Sequence, residues 1–254
     1  MQIKTKFQLL ELLAFLEVYV LISLALASQS LGKTLKIAVI DTGIDSSVPN
    51  LCGLDHKTFA EPNPLNDSHG HGTHIAGLIN KFAGKGDYCL IAIKYYDVNA
   101  KGAVNLRNMI DAIDYAVNLN VDLINISGGG PERSGGEQEV ITKALNKGIK
   151  VITAAGNNNQ NLSKECAYFP ACYDKRIVVV GNLSDNAPKD LKTALGFPHN
   201  RAPSSNYGSI VNRWEMGTDV ESYCAKGKYG CKLTGTSQAT AIASGKIVKE
   251  MLHK

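Results

Sequence analysis

Four polar residues stand where acyl-transfer chemistry would want them: Asp41, His71, Asn157 and Ser237. A hydroxyl attacks a carbonyl well only when an imidazole takes its proton, a carboxylate fixes the imidazole tautomer, and donors meet the developing oxyanion. Ser237 is the candidate hydroxyl, in Leu233-Thr-Gly-Thr-Ser-Gln-Ala, where a loop turns into a helix. The unpaired N–H groups of a helix start favour negative charge. His71 is the candidate base, Asp41 the carboxylate that orients it, and Asn157 the side-chain donor. Singly, each has an ordinary alternative as a helix cap or turn residue. All four in matching contexts are hard to attribute to chance.

The elements that must position them can be read from the apolar runs. Lys36-Ile-Ala-Val-Ile-Asp41 has the pattern of a buried parallel strand that delivers a carboxylate at its C-terminal end, the end where α/β sheets bind ligands. His71 opens a helix that continues over 75–82 and stops at Gly84. Strands over 90–95, 121–127, 151–155 and 177–180 alternate with helices over 106–119 and 137–147, the latter closed by Gly148. The stretch 184–214 is polar and irregular. Small residues after Ser237 (Ala239, Ala241, Ala243, Gly245) allow its helix to pack tightly inside the protein. Such alternation implies an α/β fold of three layers, a mostly parallel sheet with helices on both faces.

The chain has 254 residues, 44% of them apolar and 20% charged, which suits one large domain. A net charge of +4 with no Lys/Arg block gives no case for a nucleic-acid partner. Residues 1–27 read as a signal peptide: Lys4 and Lys6 precede apolar runs, and Ala25-Leu-Ala27 forms a small-residue cleavage site. Residues 28–254 are then the mature domain, secreted or periplasmic. Glu11 and Glu17 interrupt the apolar run and leave an uncleaved membrane anchor as the alternative. Six cysteines agree with export. Cys166 and Cys172, like Cys224 and Cys231, are close enough to staple local loops, leaving Cys52 and Cys89, although spacing alone does not choose among the connectivities.

Five blocks together resemble the signature of the subtilisin-like serine proteases: Ile37-Ala-Val-Ile-Asp-Thr-Gly, His69-Gly-His-Gly-Thr-His-Ile-Ala-Gly, Ile124-Asn-Ile-Ser-Gly-Gly-Gly, Ala154-Ala-Gly-Asn and Gly235-Thr-Ser-Gln-Ala. The chain order Asp, His, Ser is also that family's. The resemblance implies a secreted serine endopeptidase with Ser237 as nucleophile, His71 as base and then acid, Asp41 as orienting carboxylate and Asn157 as oxyanion donor beside the Ser237 N–H. It implies that Ser127, Gly128 and Gly129 pair with substrate backbone, that His69 and His74 are scaffold, and that the partner is a peptide or protein bound by a monomer. No cofactor or metal is implied, and the insertion that forms a calcium loop in secreted relatives is missing after His71.

Three departures from the family pattern stand out. Ala241 and Ile242 occupy positions where relatives commonly have proline and histidine. Only residues 28–36 separate the proposed cleavage site from the first strand, which leaves an external folding assistant or inhibitor as a further expected partner. Tyr168 falls near where a small residue lines the primary specificity pocket, so a shallow pocket is expected.

Three rival readings fit less well. His69-x-His-x-x-His74 approaches a di-metal motif, but Thr73 stands where that motif wants aspartate. An α/β-hydrolase needs its acid and histidine after the serine, and only Glu250 and His253 follow. A catalytically inactive binding module would usually have lost one of the four residues that are all present here.

Overall fold

The computed structural model describes residues 33–60, 63–185 and 200–253. The expected leader, residues 1–27, lies outside them, as does part of the irregular 184–214 stretch. Among the described residues no helix is long and apolar enough to cross a membrane.

The elements fall within the compact unit Leu35–Lys254. In chain order they are β1 (Leu35–Asp41), β2 (Lys57–Thr58), α1 (His71–Ala83), β3 (Tyr88–Lys94), α2 (Gly102–Asn118), β4 (Leu123–Ile126), α3 (Gly135–Asn146), β5 (Lys150–Ala154), β6 (Val178–Leu183), β7 (Arg213–Met216), β8 (Val220–Tyr223), β9 (Tyr229–Leu233) and α4 (Thr236–Leu252). Strands β1 to β7 form one sheet in the order β2-β3-β1-β4-β5-β6-β7, parallel throughout. The order turns around at β1, which has β3 on one side and β4 on the other. Clefts open at such points beyond the strands' C-terminal ends.

Alternation along β1 divides the interior in two. Ile37 and Val39 join the core under α1 and α4, with Ile75, Ile79, Ala241 and Val248. Ala38 and Ile40 join the core under α2 and α3, with Met109, Ile113, Ile141 and Ala144. Both faces of the sheet are covered, which is the three-layer α/β arrangement the sequence implies.

Several elements differ from expectation. Helix α2 begins at Gly102, earlier than its apolar periodicity suggests, because Asn105 is tied to the preceding loop: its Nδ2 donates to Asp97 O at 2.9 Å, and its Oδ1 accepts from Asp97 N at 3.0 Å. Helix α3 starts earlier because Ser134 caps it, accepting from Glu137 N. Strand β7 and the antiparallel hairpin β8–β9 carry no apolar run that would announce them. The cysteines pair as Cys52–Cys89, Cys166–Cys172 and Cys224–Cys231.

Helix α4 touches α1 through Gly245. A methyl built there would lie 2.6 Å from Ile79 O and 2.8 Å from Phe82 Cβ. Helix propensity alone makes Gly→Ala a gain of about 1 kcal/mol, whereas overpacking a rigid contact costs about 1–3 kcal/mol. Because the clash is with backbone as well as side chain, Gly245→Ala is expected to lower stability by up to about 2 kcal/mol net, read as a lower urea midpoint. An unchanged or higher midpoint would show that the helices separate without cost.

Candidate active site

Strand β1 ends in Asp41, only 4% exposed. Its Oδ1 accepts from the Thr42 N–H at 2.7 Å and meets His71 Nδ1 at 2.8 Å. A carboxylate only accepts, so Nδ1 carries the proton and Nε2 is left as the basic nitrogen. His71 is the first residue of α1. The helix comes this close because Gly72 follows it: a Cβ there would sit 2.1 Å from Gly43 O and 3.1 Å from Asp41 Oδ1.

A second carboxylate, absent from the candidate set, holds this junction together. Asp67 is 1% exposed. Its Oδ1 accepts from Thr42 Oγ1 and Gly70 N, both at 2.9 Å. Its Oδ2 accepts from Thr73 N at 2.9 Å and Thr73 Oγ1 at 2.7 Å. Thr42 Oγ1 in turn accepts from Gly72 N at 2.9 Å. Asp67 thus meets two of the orphan donors around the start of α1 and ties them to the turn that follows Asp41. An aspartate just ahead of a helix start was the sequence signal for it.

Two opposing effects set the His71 pKa. Burial disfavours its charged form, but Asp41, by charge and hydrogen bond, and the nearby charge of Asp67 outweigh burial and hold the pKa above the ordinary 6.5.

The other two histidines of the motif face different partners. His74 is fully buried. Its Nε2 donates to Val220 O at 3.0 Å and Cys231 O at 3.2 Å, clamping hairpin β8–β9 to α1. His69 is exposed, with its ring edge-on to Tyr96 and His71. Among the described residues no His/Cys/Asp/Glu group is placed to hold a metal.

Ser237 lies in the first turn of α4. Its Oγ donates to Ser127 O at 2.7 Å, and among the described residues it makes no hydrogen bond to His71. Ser127 Oγ donates back to Ser237 O at 3.1 Å, so the Ser237 turn is locked to the end of β4. Asn157 follows β5 and is exposed. Its Oδ1 accepts from Thr236 N at 2.9 Å and Thr236 Oγ1 at 3.1 Å. The carbonyl end is held, and among the described residues nothing accepts from Nδ2. Thr236 is thus a second contributor that the motif reading passed over. Gly129 is exposed, and among the described residues its backbone N–H and carbonyl are unengaged, while Gly130 exchanges both bonds with Phe169 at 2.9 and 2.8 Å. An edge with open backbone groups can take an added strand.

The structure therefore gathers the predicted residues at the strands' C-terminal edge: Asp41 with His71, and Ser237 with Ser127, while Asn157 is bound to Thr236 beside Ser237. Residues 32–251 match the Subtilase family, Peptidase_S8. The chain belongs to that family. Subtilisin amylosacchariticus from Bacillus subtilis subsp. amylosacchariticus is 36% identical over 223 residues, covering 84% of this chain and 54% of the relative. The major intracellular serine protease of Bacillus subtilis (strain 168) is 31% identical over 230 residues, covering 84% of this chain and 67% of that protein. The chain thus spans about half the length of the subtilisins it first matches, 54%. Among solved structures, a cold-adapted subtilisin-like serine proteinase superposes with a TM-score of 0.68 at 23% identity, over 87% of this chain and 76% of that one, which shows the shared fold.

The subtilase setting makes the His71 balance measurable. In a Ser237→Ala background, an NMR titration of the His71 ring is expected to give a midpoint above 6.5. Asp41→Asn removes the larger of the two carboxylate contributions, leaving burial to dominate, so the midpoint should fall. A midpoint unmoved by Asp41→Asn would mean that Asp41 does not act on His71.

Proposed function

We infer that this subtilase is a serine endopeptidase that cleaves peptide bonds through an acyl-enzyme. One observation carries the reading: an imidazole whose Nδ1 is held by a buried carboxylate, a hydroxyl in a helix's first turn and an amide nitrogen with no acceptor among the described residues share one sheet edge. In this mechanism a peptide adds to the Ser127–Gly129 edge. The Ser237 hydroxyl leaves Ser127 O and turns to His71 Nε2, a rearrangement in keeping with catalytic hydrogen bonds that tighten only once substrate is bound.

His71 takes the proton as Oγ attacks the carbonyl carbon. Asp41 stabilises the imidazolium without itself taking the proton. Asn157 Nδ2 and the Ser237 N–H donate to the oxyanion. His71 then protonates the leaving amine, and water, activated by the same imidazole, releases the acid from Ser237. Because the base must be neutral and its pKa lies above 6.5, kcat/KM should rise with pH through that higher value.

Export to an oxidising compartment belongs to the same proposal. Three disulfides among the described residues support it, because such bonds persist outside the reducing cytosol; so does the signal-like composition of residues 1–27.

Tyr168 sets the first selectivity. The Tyr168 ring is wedged between the 127–130 and 154–157 segments: a methyl on Gly129 would lie 2.8 Å from its Cε1, and one on Gly156 2.7 Å from its Cε2. Burial pushes this phenol up to about 12, so it stays neutral at working pH. A filled pocket favours glycine or alanine at the cleaved position. Tyr168→Ala is expected to raise kcat/KM for phenylalanine or leucine there at least tenfold relative to alanine, measured with fluorogenic peptides. An unchanged ratio would show that the ring already moves aside.

The central test is labelling by a fluorophosphonate, mapped by peptide mass. Exclusive labelling of Ser237, lost in His71→Ala, is expected, with Asn157→Ala lowering kcat on the order of a hundred- to a thousand-fold. A folded chain that binds peptide but never labels would instead be a binding module.

A further inference from the structure

A cavity of about 350 Å³ opens beside the substrate-pairing edge, lined by Gly129 of that edge and Gly130 just beyond it and walled by Leu106, Met109, Tyr96 and Phe169. Its walls are apolar and aromatic, yet Glu137 also lines it. Glu137 is 3% exposed, so its carboxylate sits among apolar neighbours, where a charge without a counterion is costly.

Its hydrogen bonding accounts for one oxygen. Tyr173 donates its hydroxyl to Glu137 Oε2 at 2.8 Å, and that hydroxyl is itself fixed by accepting from Ser134 N at 2.8 Å. Among the described residues nothing donates to Oε1, and it is not a fully enclosed orphan; the cavity is the space left to it. Among the described residues no Lys or Arg lines the cavity. Arg133, the basic residue nearest in sequence, gives its guanidinium to Gln138 Oε1 at 3.1 Å. Glu132, at the mouth, adds a second carboxylate and no cation.

We propose that Glu137 is a specificity-determining residue, making this cavity beside the substrate edge select a basic side chain of the bound peptide. Four features match the chemistry of lysine and arginine. Leu106 and Met109 suit the aliphatic stem; Tyr95, Tyr96 and Phe169 supply aromatic rings, whose faces attract a cationic head; Oε1 accepts a charge-assisted hydrogen bond; and Gly129 brings a paired peptide past the opening, with Gly130 at its rim. Burial raises the Glu137 carboxyl against the Tyr173 hydrogen bond, which lowers it, and an arriving cation would work in the same direction as that hydrogen bond, favouring the ionised form. Because Gly130 lies three residues beyond Ser127, the selected residue is a few positions away from the scissile bond. This is separate from the Tyr168 pocket at the cleaved position.

The assignment rests on the peptide-binding reading of the Ser127–Gly129 edge, so the test reads binding apart from turnover. Full-length chain carrying Ser237→Ala is titrated, by fluorescence anisotropy, with labelled octapeptides that place arginine, leucine or glutamate at each position in turn. At one position arginine is expected to bind at least tenfold tighter than leucine and still tighter than glutamate, with the ratio shrinking as salt rises. Glu137→Gln keeps an acceptor for Tyr173 and should bring the arginine-to-leucine ratio close to one; Glu137→Leu should invert it.

Leucine binding as well as arginine at every position, or an arginine preference that survives both variants, would overturn the assignment while leaving the protease reading intact. Failure of every octapeptide to bind a chain with native circular dichroism would overturn the peptide-binding edge and this assignment with it.

Discussion

Helix α4 lies so close to α1 at Gly245 that no side chain fits between them, and this approach governs the two groups whose separation matters for chemistry. His71 begins one helix and Ser237 lies in the first turn of the other, so a shift of either helix along the contact would move an imidazole relative to a hydroxyl. Both helices cover the same face of the sheet, and their starts come out at its C-terminal edge beside Asp41 and Ser127. The hairpin β8–β9 adds a second tie. It takes the His74 imidazole N–H through Val220 O and Cys231 O, and Ser222 Oγ donates to His74 O at 2.9 Å, immediately before the chain enters the Ser237 turn. The Cys224–Cys231 disulfide closes that hairpin. Strand β9 is largely exposed, so it owes its order more to this cross-link and the His74 clamp than to burial, whereas Val220 and Tyr223 of β8 pack against the core.

Two buried carboxylates near one imidazole solve different problems. Asp67 has four donors on its two oxygens, enough to replace the water it gave up, so its burial is compensated by hydrogen bonds alone. Asp41 is engaged on Oδ1 by Thr42 N and His71 Nδ1, so part of its compensation comes from the histidine. That dependence is reciprocal: the histidine gains basicity from the carboxylate that needs it. The charge of Asp67 reaches His71 through space while its hydrogen bonds fix the helix start, which makes Asp67 a positioning residue.

Local chemistry was legible in the sequence, and tertiary chemistry was not. Strand β1 announced itself because a strand buried on both faces must be apolar at every step, and its terminal Asp41 broke the pattern. The blocks around His71, Asn157 and Ser237 could be read because each site residue sits within a few residues of the glycines and small residues that position it. Strand β7, Arg213-Trp-Glu-Met216, is only partly buried at the sheet edge and shows no apolar run. Thr236 was visible as a neighbour of Ser237, but its grip on the Asn157 amide joins two distant parts of the chain. The same holds for the cysteines: their spacing suggested the observed pairs, and only the fold, which brings the loop after β1 onto β3, joins Cys52 to Cys89.

Glu137 shows where stability and recognition pull apart. It lines one cavity with Met109, Leu106 and Phe169, and an apolar side chain there would bury surface with no charge to desolvate. A carboxylate instead loses most of its hydration and recovers one hydrogen bond, from Tyr173. The Ser134-Gly-Gly-Glu137 spacing suggests a capping box, in which the glutamate would reach back to the Ser134 N–H. Here that N–H goes to Tyr173 Oη instead, so the glutamate's side chain does not cap the helix. The helix dipole favours a negative charge in this first turn, but neither packing nor direct capping accounts for burying it beside a cavity. A cation delivered by a peptide lying along Gly129 and Gly130 would supply the missing compensation. It would do so only in the bound state, which is the condition for the group to act through selectivity rather than through the stability of the free protein.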